Sequence, residues 1–182
     1  MKNTAQMAIS AIALLILFSG CNDLKEIKLD KTVNMEFTVD LGADDPAVLN
    51  LSEAFEFATG DLEEYRDYIK RYEVKSLRYK VWEFYTETPG EDATLDGILG
   101  IASVSGADPG VEFTMTGLSL LASNDNPSHT EIELPAADLE KVEQYLLNSN
   151  GLKLFLNGSV SSVPVHFKLQ VVADVTAIAE KE

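Results

Sequence analysis

Over residues 27–41 the chain alternates. Ile27, Leu29, Val33, Met35, Phe37, Val39 and Leu41 fall on odd positions, with Lys28, Asp30, Thr32, Asn34, Glu36, Thr38 and Asp40 between them and Lys31 the one exception. A period of two places apolar side chains on one face and polar ones on the other, as in a strand whose sheet is buried on one side and wet on the other. The pattern returns over residues 163–177, where Val165, Phe167, Leu169, Val171, Ala173 and Val175 alternate with His166, Lys168, Gln170, Val172, Asp174 and Thr176. Pro164 offers no N–H, which suits the start or the edge of such a strand. Both segments exceed the usual five or six residues, so each is expected to bend, carry a bulge or serve two sheets. As the long first and last strands of one domain, they are expected to pair.

Between them the period changes twice. Gly60-Asp61-Leu62-Glu63-Glu64 has the form of a capping box, after which Leu62, Tyr65, Ile69 and Tyr72 share one helical face. A second helix opens near Pro135, carries Leu139, Val142 and Leu146 on one face, and ends at a left-handed cap at Asn150-Gly151. The other apolar runs, 74–85, 98–104, 111–121, 131–134 and 152–160, read as strands, punctuated by Thr88-Pro89-Gly90, Asp108-Pro109-Gly110 and Asn124-Asp125-Asn126-Pro127. Near Trp82 the apolar register passes from odd positions (Leu77, Tyr79, Val81) to even ones (Trp82, Phe84), which indicates a bulge or a strand buried on both faces. The expected fold is mainly β, a β-sandwich or a partly closed antiparallel barrel, with two short α-helices covering an open end or edge. Residues 27–182 form one domain, without internal repeat or low-complexity tract.

The first residues follow a different rule. Lys2 precedes an apolar stretch, 7–18, broken only by Ser10 and too short to span about 30 Å of hydrocarbon. It ends in Leu17-Phe18-Ser19-Gly20-Cys21, which resembles the lipobox of bacterial lipoproteins, with Phe18 standing where that pattern prefers leucine. The resemblance covers residues 1–21. It implies that residues 1–20 are a cleaved signal peptide, that the Cys21 thiol receives a diacylglyceryl group and further palmitate-type acylation, and that residues 21–26 are a tether. It also implies a bacterial envelope location, at the outer membrane on its periplasmic or surface face. Two or three acyl chains on one residue suffice for stable anchoring. Cys21 is the only cysteine, so no disulfide assists the domain.

Removing residues 1–20 leaves 162 residues, among which 13 Lys and Arg face 30 Asp and Glu, a formal charge of −17. Nucleic acid is excluded as a partner, because its binding requires lysines and arginines to replace condensed counterions. Anionic headgroups are also poor partners for such a surface, so membrane affinity is assigned to the lipid on Cys21.

Candidate chemistry is sparse. His129 and His166 are the only histidines and read as exposed and solitary, too few for a zinc site, and no G-x-S-x-G elbow is present. Calcium is the one cofactor with a physical basis: Asp40, Asp44 and Asp45 cluster around Gly42, and Glu91, Asp92 and Asp96 precede Gly97. Glu53, Glu56 and Glu91 read as surface charges. Tyr79, Trp82, Phe84 and Tyr85 are candidates for a face that stacks against a sugar or another ligand, whereas Tyr65, Tyr68 and Tyr72 read as packing residues. The leading expectation is a non-catalytic, membrane-anchored module that binds or assembles with an envelope protein or a glycan. A carrier with an apolar or sugar ligand in a β-sheet cavity comes second, and a hydrolase using an acidic pair third.

Overall fold

The computed structural model describes residues 25–57 and 61–181. The leader, Cys21 and Gly60 lie outside these, as does the side chain of Asp61, so neither the lipidation site nor the capping box falls on described positions. Eight strands run in the order β1 (Lys25–Leu41), β2 (Val48–Glu56), β3 (Ile69–Thr86), β4 (Thr94–Ser103), β5 (Val111–Ser119), β6 (Thr130–Glu131), β7 (Gly151–Val160) and β8 (Val165–Lys181). They form two four-stranded antiparallel sheets, one ordered β1-β8-β3-β6 and the other β2-β7-β4-β5. This connectivity, with neighbours in sequence largely placed in opposite sheets, is that of a jelly roll. The molecule is a β-sandwich and not a closed barrel, because β1 and β6 bound one sheet and β2 and β5 the other.

The first and last strands pair as their patterns require. β1 and β8 are antiparallel in an unbroken register from Lys25↔Lys181 to Leu41↔Val165. Met35, Phe37 and Val39 of β1 and Phe167, Leu169 and Val171 of β8 are buried between the sheets, against Leu99, Ile101, Leu154 and Leu156 of the facing sheet. β8 lies between β1 and β3, and even its outward Val172 and Ile178 are covered. Long flanking side chains explain this, since Lys28 and Arg71 lie directly opposite Ile178 on the two neighbouring strands.

β3 replaces the second half of the expected first helix. That helix, α1 (Asp61–Tyr65), gives way to a 3₁₀ turn at Arg66–Tyr68, and Ile69 begins the strand. The partner ladder along β8, from Ile69↔Ala179 onward, outweighs the helical spacing of Leu62, Tyr65, Ile69 and Tyr72. Tyr72 is still buried, as expected of a packing residue, and Tyr65 half-buried, whereas Tyr68 is exposed because the 3₁₀ turn replaces the expected helix at that point. The parity change near Trp82 is a β-bulge: Trp82 faces Lys168 and Tyr85 faces His166, with Glu83 in the left-handed region at φ 51°. A second shift between Val74 and Ser76 moves the inward parity from Tyr72 to Leu77.

The far edge of β3 is covered piece by piece. Glu143 accepts from the Val74 N–H at 2.9 Å, β6 pairs with Arg78 and Tyr79, Ser123 accepts from Val81 N–H at 3.1 Å, and Asn124 accepts from Phe84 N–H at 3.2 Å. An edge closed in this way is a poor template for aggregation. Ser123 and Asn124 belong to α2 (Leu120–Asp125), whose N-cap Ser119 accepts from Ala122 N–H at 3.0 Å. The strand expected over 111–121 therefore stops at Ser119, and the one expected over 131–134 contributes only Thr130 and Glu131. α3 (Ala136–Ser149) buries Val142 and Leu146 and ends at Asn150, left-handed at φ 52° and ψ 27°. The described residues thus contain three α-helices and one 3₁₀ turn rather than two helices. β2 escapes the sequence pattern because Glu53 interrupts the alternation of Leu49, Leu51, Phe55 and Phe57 on an edge strand.

Candidate functional site

Registers β1–β8 and β3–β8 arrange the outer face of the first sheet in rows of three. At the end of the sheet farthest from Lys25 the rows are Asp40, His166 and Tyr85, then Thr38, Lys168 and Trp82, then Glu36, Gln170 and Lys80. Simple alternation would put Trp82 and Tyr85 on opposite faces. The bulge inserts one residue between them, and both rings emerge on the same side.

In the last row the His166 and Tyr85 rings stack at 4.5 Å with an interplanar angle of 16°, and His166 Nδ1 lies 3.5 Å from Asp40 Oδ1. The imidazole is 16% exposed, yet its buried Nδ1 makes no hydrogen bond. The Asp40 side chain is 78% exposed and Tyr85 60% exposed. These residues line a pocket of about 270 Å³ together with Leu41, Glu87 and Pro164. Unused hydrogen-bonding capacity beside an open aromatic face is unusual in a structural cluster, where buried polar atoms are normally paired.

The adjoining row is tied down. Trp82 Nε1 donates to Glu36 Oε2 at 3.0 Å, and Lys168 Nζ sits 4.5 Å above the indole ring, 3.0 Å from Glu83 and 3.6 Å from Glu36. The Glu83 carboxylate first, and then Glu36, raise the Lys168 pKa against the opposing effect of desolvation, so the amine stays charged. This cation–π and ion-pair arrangement holds the indole in place one row from the pocket. His129 is half-buried and shares a hydrogen bond of 3.0 Å with Gln170. Neither histidine is therefore exposed and solitary. His166 acquires its neighbours through the strands paired with β8, and His129 through the loop that leads into β6.

The four aromatic candidates separate. Trp82 and Tyr85 reach the outer face, Phe84 packs against the core, and Tyr79 is buried and tilted against Phe113 at 5.9 Å. The acidic candidates separate too. Asp45 Oδ2 accepts from Gly42 N–H at 2.7 Å in a turn, and Asp96 Oδ1 accepts from Gly117 N–H at 2.6 Å. Asp92 accepts from Ser119 Oγ at 2.6 Å and Leu121 N–H at 2.9 Å, at the start of α2. Desolvation pushes the Asp92 pKa up, but those donors outweigh it and the net shift is downward. Asp44 and Glu91 remain on the exposed surface. Among the described residues, three or more His, Cys, Asp or Glu side chains converge nowhere in a way that would hold a metal ion.

Farther down the same face lies a second polar cluster. Asp174 accepts from Thr32 Oγ1 at 2.6 Å, from Ser76 Oγ at 2.8 Å and from Arg78, and below it Thr176 Oγ1 donates to Asp30 at 2.5 Å. The hydroxyls of Thr32 and Ser76, helped by the Arg78 guanidinium, hold the Asp174 carboxyl below its ordinary range.

No family model matches the chain, and no curated protein matches it. Among solved structures it is similar to Desmodium yellow mottle tymovirus (TM-score 0.35, 10% identity, 85% of this chain and 84% of that one). It is also similar to turnip yellow mosaic virus at 100 K (0.38, 9%, 85% and 96%) and to the decameric BFDV capsid protein (0.32, 11%, 84% and 99%). Similarities at this level carry no argument about function.

Proposed function

We propose that this chain is a lipid-anchored protein of the bacterial envelope whose sandwich binds a ligand without transforming it, and that the ligand is a glycan held at the Tyr85–His166–Asp40 pocket. The observation that carries the binding site is the exposed Tyr85 ring, stacked on His166 and opening onto a pocket that the exposed Asp40 carboxylate also lines. A pyranose ring pairs an apolar face with a rim of hydroxyls, which matches an aromatic plane flanked by acceptors such as Asp40 and Glu87. The residues facing between the sheets fill that space with apolar side chains, which supports a surface site over an enclosed carrier cavity.

The anchor reading rests on the lipobox-like Leu17-Phe18-Ser19-Gly20-Cys21. Among the described residues no helix is long and apolar enough to cross a membrane. Cells fed a fatty-acid analogue should label the wild type and not Cys21→Ala, and equal labelling of both would overturn the anchor. For the ligand, Trp82 is the only tryptophan and lies one row from the pocket, so its fluorescence reports occupancy. Titration with a panel of oligosaccharides should shift that emission saturably for at least one member. A panel without effect on wild-type emission or on calorimetry counts against the glycan.

A further inference from the structure

The start of β1, four positions after Cys21 in the sequence, and the pocket row lie at opposite ends of one strand. Only Asn22, Asp23 and Leu24 separate Cys21 from Lys25, where β1 begins, and four Cα steps span at most about 14 Å. From Lys25 to Asp40 the strand keeps an unbroken register with β8, and fifteen residues at about 3.3 Å each extend roughly 50 Å. β8 returns antiparallel and β3 runs alongside β1, so the start of β1, the end of β8, α1 and the 3₁₀ turn form one end of the sandwich. The pocket row forms the other.

The acid excess is not spread evenly over these ends. Segments 25–31, 61–75 and 175–182 hold eight of the 13 Lys and Arg that follow Cys21 but nine of the 30 Asp and Glu. Everything else after the leader therefore carries five basic residues against 21 acids. The end beside the anchor is close to neutral, with Lys28, Lys70, Arg71 and Lys75 on or near its outer face, and Arg71 paired at 3.0 Å with Glu26. Salt screens charges beyond about 8 to 10 Å, so a headgroup layer senses only the end that touches it. Were the domain to lie on its second sheet, the exposed Glu53, Glu56, Asp96 and Glu112 would enter that layer and be repelled by anionic lipid.

We infer that the charge-balanced end formed by the start of β1, the end of β8 and the 3₁₀ turn faces the phospholipid surface, and that the sandwich stands upright with the Tyr85–His166–Asp40 pocket directed away from the bilayer. This inference rests on the anchor proposed above. Acid-rich regions expected to avoid headgroups do so by distance, and the strand pair β1–β8 acts as a stiff spacer between lipid and binding site.

The test uses the lipidated full-length protein in vesicles containing a dansyl-headgroup phosphatidylethanolamine. Emission from native Trp82 should transfer weakly to dansyl, while a tryptophan at the exposed Tyr68, in Tyr68→Trp combined with Trp82→Phe, should transfer several-fold more. Should the double variant fold poorly, a thiol-reactive fluorophore on Lys70→Cys compared with Glu87→Cys asks the same question, since acylated Cys21 does not react. Equal transfer from both ends, or stronger transfer from Trp82 or Glu87→Cys, overturns the upright arrangement with the anchor intact. Protein that fails to float with vesicles and carries no fatty-acid label overturns the anchor itself, and the orientation with it.

Discussion

Two clusters on one face of one sheet differ in what they leave undone. Around Asp174 both carboxylate oxygens are occupied by Thr32, Ser76 and Arg78, and the surrounding donors hold the group ionised. Around His166 a carboxylate, an imidazole and a phenol meet with the opposite result: Asp40 is largely solvated, Tyr85 is open and Nδ1 has no hydrogen bond. Both clusters draw residues from β1, β8 and β3, one from each around His166 and two from β3, Ser76 and Arg78, around Asp174. What differs is how far the carboxylate is satisfied: both Asp174 oxygens have donors, although Arg78 Nε beside them makes no hydrogen bond, whereas the Asp40 carboxylate stays largely solvated. A closed hydrogen-bond network adds stability and leaves little for a ligand, whereas an incomplete one adds little stability and keeps its capacity for a partner.

Three measurements probe that comparison, and the first sets its scale. Phe167 lies fully buried between the His166 and Lys168 rows, on the inner face. Phe167→Ala should cost roughly 3 to 5 kcal/mol in urea denaturation, from lost transfer energy plus a cavity. Its outward counterpart Thr38→Ala should change stability by about 0.5 kcal/mol or less. A reversal of the two would mean the faces are exchanged, because a slip of one residue inverts a strand.

The closed cluster should show the next largest effect. Asp174→Asn removes a charge that three donors address, and with a side chain one-third exposed the loss should be about 2 kcal/mol at pH 7. The sign with pH follows from linkage. The folded pKa of Asp174 lies below the unfolded value near 3.9, so its stabilisation is complete above that value and fades as pH falls through the folded pKa. The gap between wild type and variant, followed by urea denaturation from pH 7 to pH 3, should therefore narrow toward acid. A gap that is flat or widens on acidification would show that Asp174 is not the ionised centre of its network.

The open cluster should show the smallest stability effect and a clear binding one. Tyr85→Ala should shift stability by about 0.5 kcal/mol or less, yet weaken glycan binding at least tenfold, which corresponds to about 1.4 kcal/mol. If Tyr85→Ala unfolds the domain as readily as Asp174→Asn, the pocket is a structural cluster and the contrast collapses.

Much of the frame was legible before any coordinates. The alternation in 27–41 and 163–177 identified the two long strands and their inward faces, and the parity change at Trp82 allowed a bulge or a strand buried on both faces, of which the fold has the bulge. Both are local consequences of a side-chain period of two, which a linear sequence records. The left-handed end of α3 at Asn150 was equally legible, from turn chemistry confined to neighbouring residues.

What remained hidden depends on which strands meet. β2 carries a broken alternation and becomes a strand because β7 pairs with it from Val48↔Ser159 to Glu56↔Gly151. Residues 69–72 have helical spacing and become strand because β8 extends to Lys181 and offers a ladder. The acids around Gly42 and Gly97 look like ligands in sequence, but in the fold Asp45, Asp92 and Asp96 are spent on turns and a helix start. His166 and Asp40 are 126 positions apart in the chain and read singly as a solitary exposed histidine and a calcium candidate. Residue types and their periods, which are local, determined the strands and their faces. Cross-strand register, which is set by long-range pairing and a single bulge, decided that Asp40, His166 and Tyr85 share a pocket while Asp174 does not.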